Sequence, residues 1–277
     1  MTNDIDPFSA RLMANLTDVV PNRQFWLLFK ISSKERLIAM QRGLLYMNSL
    51  AYFAGIEGES SDSLRGDPDE PVLARVRGGQ HGEYIYKFTL TVGDGSNKQQ
   101  FDVTENSVMQ VTVPSPSNVM VFCFSALADG SDGTMPGEAN GELWLDQRLE
   151  QFGDHLLLIR DARVLSDRIS KAVAAHRGLY DSEYFQGGYG RVEYGDADSG
   201  PETLGLFHKP KRYEWQREFR FVLGADQRYL NKKGALELQI GDISDITDLI
   251  PLQKLFESPF KISRRLVKKV GDEYVDV

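Results

Sequence analysis

Residues 213–221 read Tyr213-Glu214-Trp215-Gln216-Arg217-Glu218-Phe219-Arg220-Phe221, and their alternation decides how the chain is read. In an extended strand, Gln216, Glu218 and Arg220 point to one face and Arg217, Phe219 and Phe221 to the other. The aromatic face suits a core. The opposite face lines up an amide, a carboxylate and a guanidinium, which need water, each other or a ligand, because an unpaired buried charge is costly. Two readings stand side by side: a solvated strand face with a Glu218–Arg220 ion pair, or a ligand site.

Upstream of that strand, residues 25–31 form an apolar run of strand length. Ser32-Ser33-Lys34-Glu35 has the S-x-x-E form of a capping box and predicts a helix that ends at Gly43. A second short strand is expected at 44–47, and strands at 84–92 and 101–113 around a Gly-Asp-Gly turn. Residues 119–124 (VMVFCF) form the most apolar strand, one suited to burial on both faces. Helical spacing of Leu145, Leu149 and Phe152 predicts a helix over 142–152 that carries Trp144, as a buried anchor or as a stacking platform. A strand follows at 155–159, an amphipathic helix at 162–176, and a short strand at 191–194 after a Gly-rich turn at 187–190. Further strands are expected at 219–223 and 235–240, and a late helix at 249–256. Two Gly-, Ser- and Asp-rich stretches, 55–71 and 128–140, read as long surface loops. The sum is an α+β domain with mostly antiparallel sheet, residues 23–277, after a polar N-terminal arm, residues 1–22.

Composition narrows the function. The 277 residues are 41% hydrophobic, 26% charged and 10% aromatic, as expected of a globular chain. Forty acidic against 32 basic residues give a net charge of -8, a poor basis for non-specific grip on a phosphate backbone, although one strand can still enter a local basic groove. One cysteine, Cys123, excludes a disulfide framework and a Cys-based zinc site, and four scattered histidines lack metal-ligand spacing. No run approaches the ~18 apolar residues of a spanning helix. Residues 1–7 lack a basic leader pattern, so no membrane partner is expected and the expected location is cytoplasmic.

Local charge offers other candidates. His208-Lys209-Pro210-Lys211-Arg212 is the densest basic run. It reads as a solvated loop or as a receiver for a pyrophosphate or an acidic acceptor. In Arg65-Gly66-Asp67-Pro68-Asp69-Glu70, Arg65 would clamp a phosphate and Asp67 or Glu70 would pair with Arg220 or Arg217, unless the segment is simply a solvated turn. A carboxylate metal site drawn from Asp67, Glu70 and Glu218 would instead make this a metal-dependent nucleic-acid-processing protein. His155 and His176 sit beside expected helix ends and read as helix-terminal hydrogen-bonding residues.

The order of short motifs carries a resemblance. Residues 28–33 (LFKISS), a helix, Gly43-Leu44-Leu45-Tyr46, Asn48-Ser49-Leu50-Ala51-Tyr52-Phe53, Asp67-Pro68-Asp69-Glu70, Leu143-Trp144 and residues 216–220 (QREFR) follow one another. Together they resemble a large bacterial family of uncharacterised proteins that is itself similar to the ADP-ribosyltransferase superfamily. The resemblance spans about residues 25–252 and implies a split, mostly antiparallel sheet with flanking helices. It also implies NAD as the substrate that donates ADP-ribose. Carried over by position, Glu218 is the catalytic carboxylate and Gln216 the acceptor-orienting amide of a Q-x-E pair. Lys30 and Ser32 contact NAD. Tyr46 and Tyr52 are candidates for the middle motif, Arg65 for a phosphate contact, and Arg220 for the NAD side of the site, where it would also hold Glu218 ionised. Lys30 stands where one branch has His and another Arg, and it offers a point charge in place of a planar fork. The resemblance implies transfer to a protein or nucleic-acid acceptor, with a role in toxin–antitoxin biology or phage defence and an antitoxin or other protein partner. The Lys30 departure and the acidic 55–71 stretch favour a different class, an interaction module that keeps the fold without turnover.

Overall fold

The computed structural model describes residues 27–56, 69–77, 79–81, 84–86, 88–92, 98–103, 108–129, 137, 141–182, 185, 187–195, 202–203, 205–261, 267–270 and 273–276. The 1–22 arm, most of the 55–71 and 128–140 loops, and the 93–97 turn lie outside the described residues.

A nine-stranded sheet organises the chain, built from β1 (Leu27–Ser32), β2 (Leu44–Ser49), β3 (Val119–Leu127), β4 (His155–Ile159), β5 (Leu179–Tyr180), β6 (Tyr189–Arg191), β7 (Glu218–Ala225), β8 (Leu236–Gln239) and β9 (Thr247–Pro251). The central pair is β3 and β7, antiparallel from Glu218 opposite Ser125 to Gly224 opposite Val119. β3 is the VMVFCF run, and its continuous apolar character follows from burial on both faces.

The sheet divides along the other edge of β3. There β1 pairs at Ser125, Ala126 and Leu127, whereas β2 pairs at Met120 and Val121. Between these contacts Phe122, Cys123 and Phe124 are in register with β7 alone among the described strands. One wing continues β1–β4–β9 and the other β2–β8, all antiparallel. Outside this sheet, the pairing of Glu193–Gly195 with His208–Pro210 is parallel. The fold is therefore α+β with mostly antiparallel sheet.

Helix α1 (Lys34–Gln41) bridges the two wings and ends at Gly43, whose φ of 100° is left-handed. A side chain is excluded at Gly43 twice over, since an added Cβ would also lie 2.4 Å from the Gly241 carbonyl oxygen. Helix α2 (Leu50–Ile56) follows β2, and α3 (Ala162–Ala175) starts at Asp161, whose carboxylate accepts from the Val164 amide. The sheet's first face packs Leu28, Phe122, Phe124, Phe219 and Leu157 against Leu37 and Met40 of α1 and Leu165 and Ile169 of α3. The second face carries two separate apolar clusters, one around Phe29, Leu127 and Leu156 and one around Leu50, Val121 and Val222.

Four local expectations are corrected. Ser32, the cap of the S-x-x-E reading, is the last residue of β1, and the helix starts instead from Ser33, whose side chain makes no capping hydrogen bond, so the capping box does not form although the helix does. Residues 142–152 are not a helix. Glu142–Leu143 pairs with Phe260–Lys261, and Asp146 then caps a short 3-10 turn (Gln147–Phe152), leaving Trp144 47% exposed and no buried anchor. Residues 249–256 divide between β9 and the short helix α4 (Gln253–Glu257), because Leu249 and Ile250 complete the ladder of β4 opposite Leu157 and Leu156. Tertiary pairing here overrides helical periodicity. Finally, Gln216 is not in a strand. It ends a 3-10 turn (Lys211–Gln216), and β7 starts only at Glu218, after a left-handed Arg217 with φ 48°. No helix among the described residues is long and apolar enough to cross a membrane.

Candidate functional site

On its second face the sheet bears a polar seam between the two apolar clusters. Glu218 lies opposite Ser125, which lies opposite Phe29, so all three share that face. Arg220 lies opposite Cys123. The kink at Arg217 is tied to β3 on both sides, with the Ser125 hydroxyl donating to the Gln216 carbonyl (2.9 Å) and the Ala126 amide to the Arg217 carbonyl (2.8 Å). Gln216 therefore still faces the seam although its backbone has left the strand.

The seam closes into a buried network of two carboxylates and two cations. Arg220, 1% exposed, donates through Nε to Glu218 Oε2 (2.9 Å), through one terminal nitrogen to Glu70 Oε1 (2.6 Å) and through the other to the Leu206 carbonyl (2.5 Å). Lys209, 3% exposed, donates to Glu218 Oε1 (2.6 Å) and to Gln216 Oε1 (3.3 Å), and lies 3.3 Å from Glu70 Oε1. The Glu218 amide donates to the Tyr194 hydroxyl oxygen (2.8 Å). Every charge in the group thus meets an opposite charge, the condition for keeping ions inside a protein.

Electrostatics follow from that packing. Burial alone would push the Glu218 carboxyl up, but the charges and hydrogen bonds of Lys209 and Arg220 outweigh it and hold the group down to about 2. Burial acts against the Lys209 ammonium, yet Glu218 and Glu70 raise it above the ordinary lysine value. Arg220 is raised in the same way, burial being outweighed by Glu70 and Glu218. Burial, aided by Glu218, pushes the Cys123 thiol up to about 12, so it remains a thiol.

A cavity of about 530 Å³ opens onto this network. Of the residues singled out by sequence, Lys30, Ser32, Tyr46, Tyr52, Gln216, Glu218 and Arg220 all line it. Lys30 follows Phe29 on β1, so it rises from the opposite face to Glu218. Its ammonium enters the gap between the wings, donating to the Cys123 carbonyl (2.5 Å) and lying 4.9 Å from the centre of the Phe122 ring. Tyr46 and Tyr52 are 39% and 48% exposed at the cavity's outer part. Arg65 and Asp67 lie outside the described residues.

Glu70 and Glu218 do come together, but around Lys209 and Arg220. Among the described residues no group of three His, Cys, Asp or Glu side chains could hold a metal ion. Sequence reasoning missed Lys209. The basic run 208–212 read as one unit, whereas Lys211 and Arg212 are exposed and Lys209 alone is sealed inside, one turn of backbone away. The usable signal was its place before Pro210 in a segment bracketed by Leu206, Phe207 and Tyr213, all buried.

Comparison of the chain with protein-family models, with curated proteins and with solved structures finds no match in any of the three.

Proposed function

We propose that this chain cleaves the nicotinamide–ribose bond of NAD and transfers ADP-ribose to a macromolecular acceptor on an ADP-ribosyltransferase-like scaffold. The observation that carries this reading is an ionised carboxylate, Glu218, on the wall of a cavity where a divided sheet also presents Lys30 and Ser32. The cavity volume falls within the range of small-molecule sites.

Loss of nicotinamide leaves positive charge on the sugar, as in glycoside cleavage. Glu218 supplies a fixed negative charge facing that cation, and one such contact is worth roughly 3 kcal/mol, or ~10² in rate. A carboxylate held near 2 is a poor base, so its role is electrostatic and the acceptor's proton leaves to water. Arg220, with its nitrogens engaged by Glu218, Glu70 and Leu206, positions the carboxylate.

A second reading, a ligand-binding module without turnover, is favoured by the Lys209 ammonium 2.6 Å from Glu218, which neutralises part of the charge the reaction would use. One experiment separates the two. Full-length protein is incubated with NAD, and nicotinamide release is followed by chromatography alongside the NAD-dependent melting temperature. Release that falls about a hundredfold in Glu218→Gln supports the enzyme. A melting shift without release supports the module, and neither signal removes NAD from both readings.

A further inference from the structure

Glu218, on the floor of the cavity, is held at more points than an ion pair requires. Its carboxylate oxygens accept from Lys209 (2.6 Å) and Arg220 (2.9 Å). Its main chain is held as well. The Glu218 carbonyl accepts from the Val192 amide (2.9 Å), and the Glu218 amide donates to the Tyr194 hydroxyl oxygen (2.8 Å). Except for Arg220, these contacts come from one small unit outside the nine-stranded sheet, the parallel pair of Glu193–Gly195 with His208–Pro210 and the residue just before it. In that pair Tyr194 is in register with Lys209, so both side chains leave one face of the ladder. Both end on Glu218, one at its amide and the other at its carboxylate. The unit is itself fixed, since the Glu193 amide donates to the Phe207 carbonyl (2.7 Å) and Val192, Leu206 and Phe207 are buried.

The backbone explains why Glu218 needs this holding. Arg217, just before it, is left-handed with φ 48°, a conformation that costs a residue with a Cβ and persists only where the surroundings impose it. The register of β7 with β3 begins at Glu218, so the carboxylate is aimed from a strand end, where fraying starts. Ser125 and Ala126 tie the Gln216 and Arg217 carbonyls, and Tyr194 ties the residue after the kink. Burial, aided by Glu218, pushes the Tyr194 phenol up, so its oxygen is a neutral acceptor that keeps its proton. Tyr194 does not line the cavity, whereas Lys209 and Glu218 do.

We propose that Tyr194 and Lys209 are the two prongs of a clip that aims the Glu218 carboxylate into the cavity, Tyr194 being a positioning residue for the reaction proposed above, on which the kinetic part of this inference rests. The hydroxyl fixes where the Glu218 backbone starts, and the ammonium fixes where its side chain points. Tyr194→Phe removes one oxygen, keeps the ring and leaves the Glu218 amide without its acceptor, so the backbone shifts to find another. The carboxylate moves with it, among Lys209, Arg220, Glu70 and the Cys123 thiol. A displaced Glu218 keeps its burial but loses matched charge, and its carboxyl rises toward the ordinary value.

The test compares the full chain, Tyr194→Phe, Glu218→Gln and the double variant by two readouts. The first needs no NAD. Urea midpoints are measured from about pH 2 to 7, and the difference between a chain and its Glu218→Gln counterpart isolates the contribution of Glu218. Tyr194→Phe is expected to move that acid limb toward neutral pH by about one unit. The second readout is nicotinamide release, expected to fall about tenfold in kcat at unchanged KM for NAD, and no further when Tyr194→Phe is added to Glu218→Gln. Arg217→Gly, which accepts left-handed backbone without strain and leaves both prongs in place, is expected to keep the original limb. A limb unmoved by Tyr194→Phe, whatever the change in melting temperature, overturns the inference, as does a limb moved by Arg217→Gly. Release that Tyr194→Phe leaves unchanged, or lowers equally in the Glu218→Gln background, overturns it too. A moved limb with no release from any chain upholds the clip and retires the NAD reading.

Discussion

The floor and the mouth of the cavity are built from similar side chains under opposite rules. On the floor, Arg220 and Lys209 are 1% and 3% exposed, and each meets two carboxylates. At the mouth, Arg36 and Lys233 are exposed to solvent, as are Tyr46 and Tyr52 on the lining of the same cavity. Desolvation explains the difference. A buried charge must be matched by the fold itself, so the floor is tied into the stability of the molecule, while a hydrated charge costs little and stays available to a ligand. Arg220 shows the first rule most fully, since it holds β7 to the Glu70 turn and to the Leu206 carbonyl at once.

The largest effect that can break this contrast is Arg220→Met. It leaves Glu218 and Glu70 with Lys209 alone, and a loss of about 3–5 kcal/mol in chemical denaturation is expected. A loss under 1 kcal/mol would mean that the floor is not structural. Next is Glu218→Gln, for which nicotinamide release should fall by roughly 10²–10³.

Acid should act on the floor as well. The Glu218 carboxyl of the folded protein lies at about 2, below the ordinary carboxyl value of 4.5, so its stabilisation is complete above about pH 4.5 and disappears as pH falls through 2. Roughly 3 kcal/mol is involved, visible as an acid limb in urea midpoints. Lys209→Met should move that limb toward neutral pH, because burial then acts on Glu218 with one counter-charge fewer. The smallest expected effect is at the mouth, where Tyr52→Ala should change stability by less than about 0.5 kcal/mol, measured by thermal melting.

Much of the sheet was legible because its strands are short apolar or alternating runs bounded by turn residues. Phe219 and Phe221 against Glu218 and Arg220 gave the two faces of β7, and VMVFCF gave its buried neighbour β3. Helical spacing misled at 142–152 and 249–256, where a strand edge was waiting for a partner that no local pattern announces. The site was half legible. Glu218, Gln216 and Lys30 do line one cavity, and Glu70 pairs with Arg220 as one reading of residues 65–70 allowed. Lys209 was hidden in a run of cations, since a count of charges cannot say which one the fold encloses.

By itself the sequence determined the apolar and alternating strands β1, β3, β4 and β7, because their pattern lies in residues near one another in the chain, and the acidic balance, which is composition alone. Tertiary structure alone decided that β1 and β2 part along β3, that Lys30 fills the gap and that Lys209 becomes the partner of Glu218. Those outcomes depend on which distant segments lose their water together, and the cost of an unmatched charge is set only once they meet.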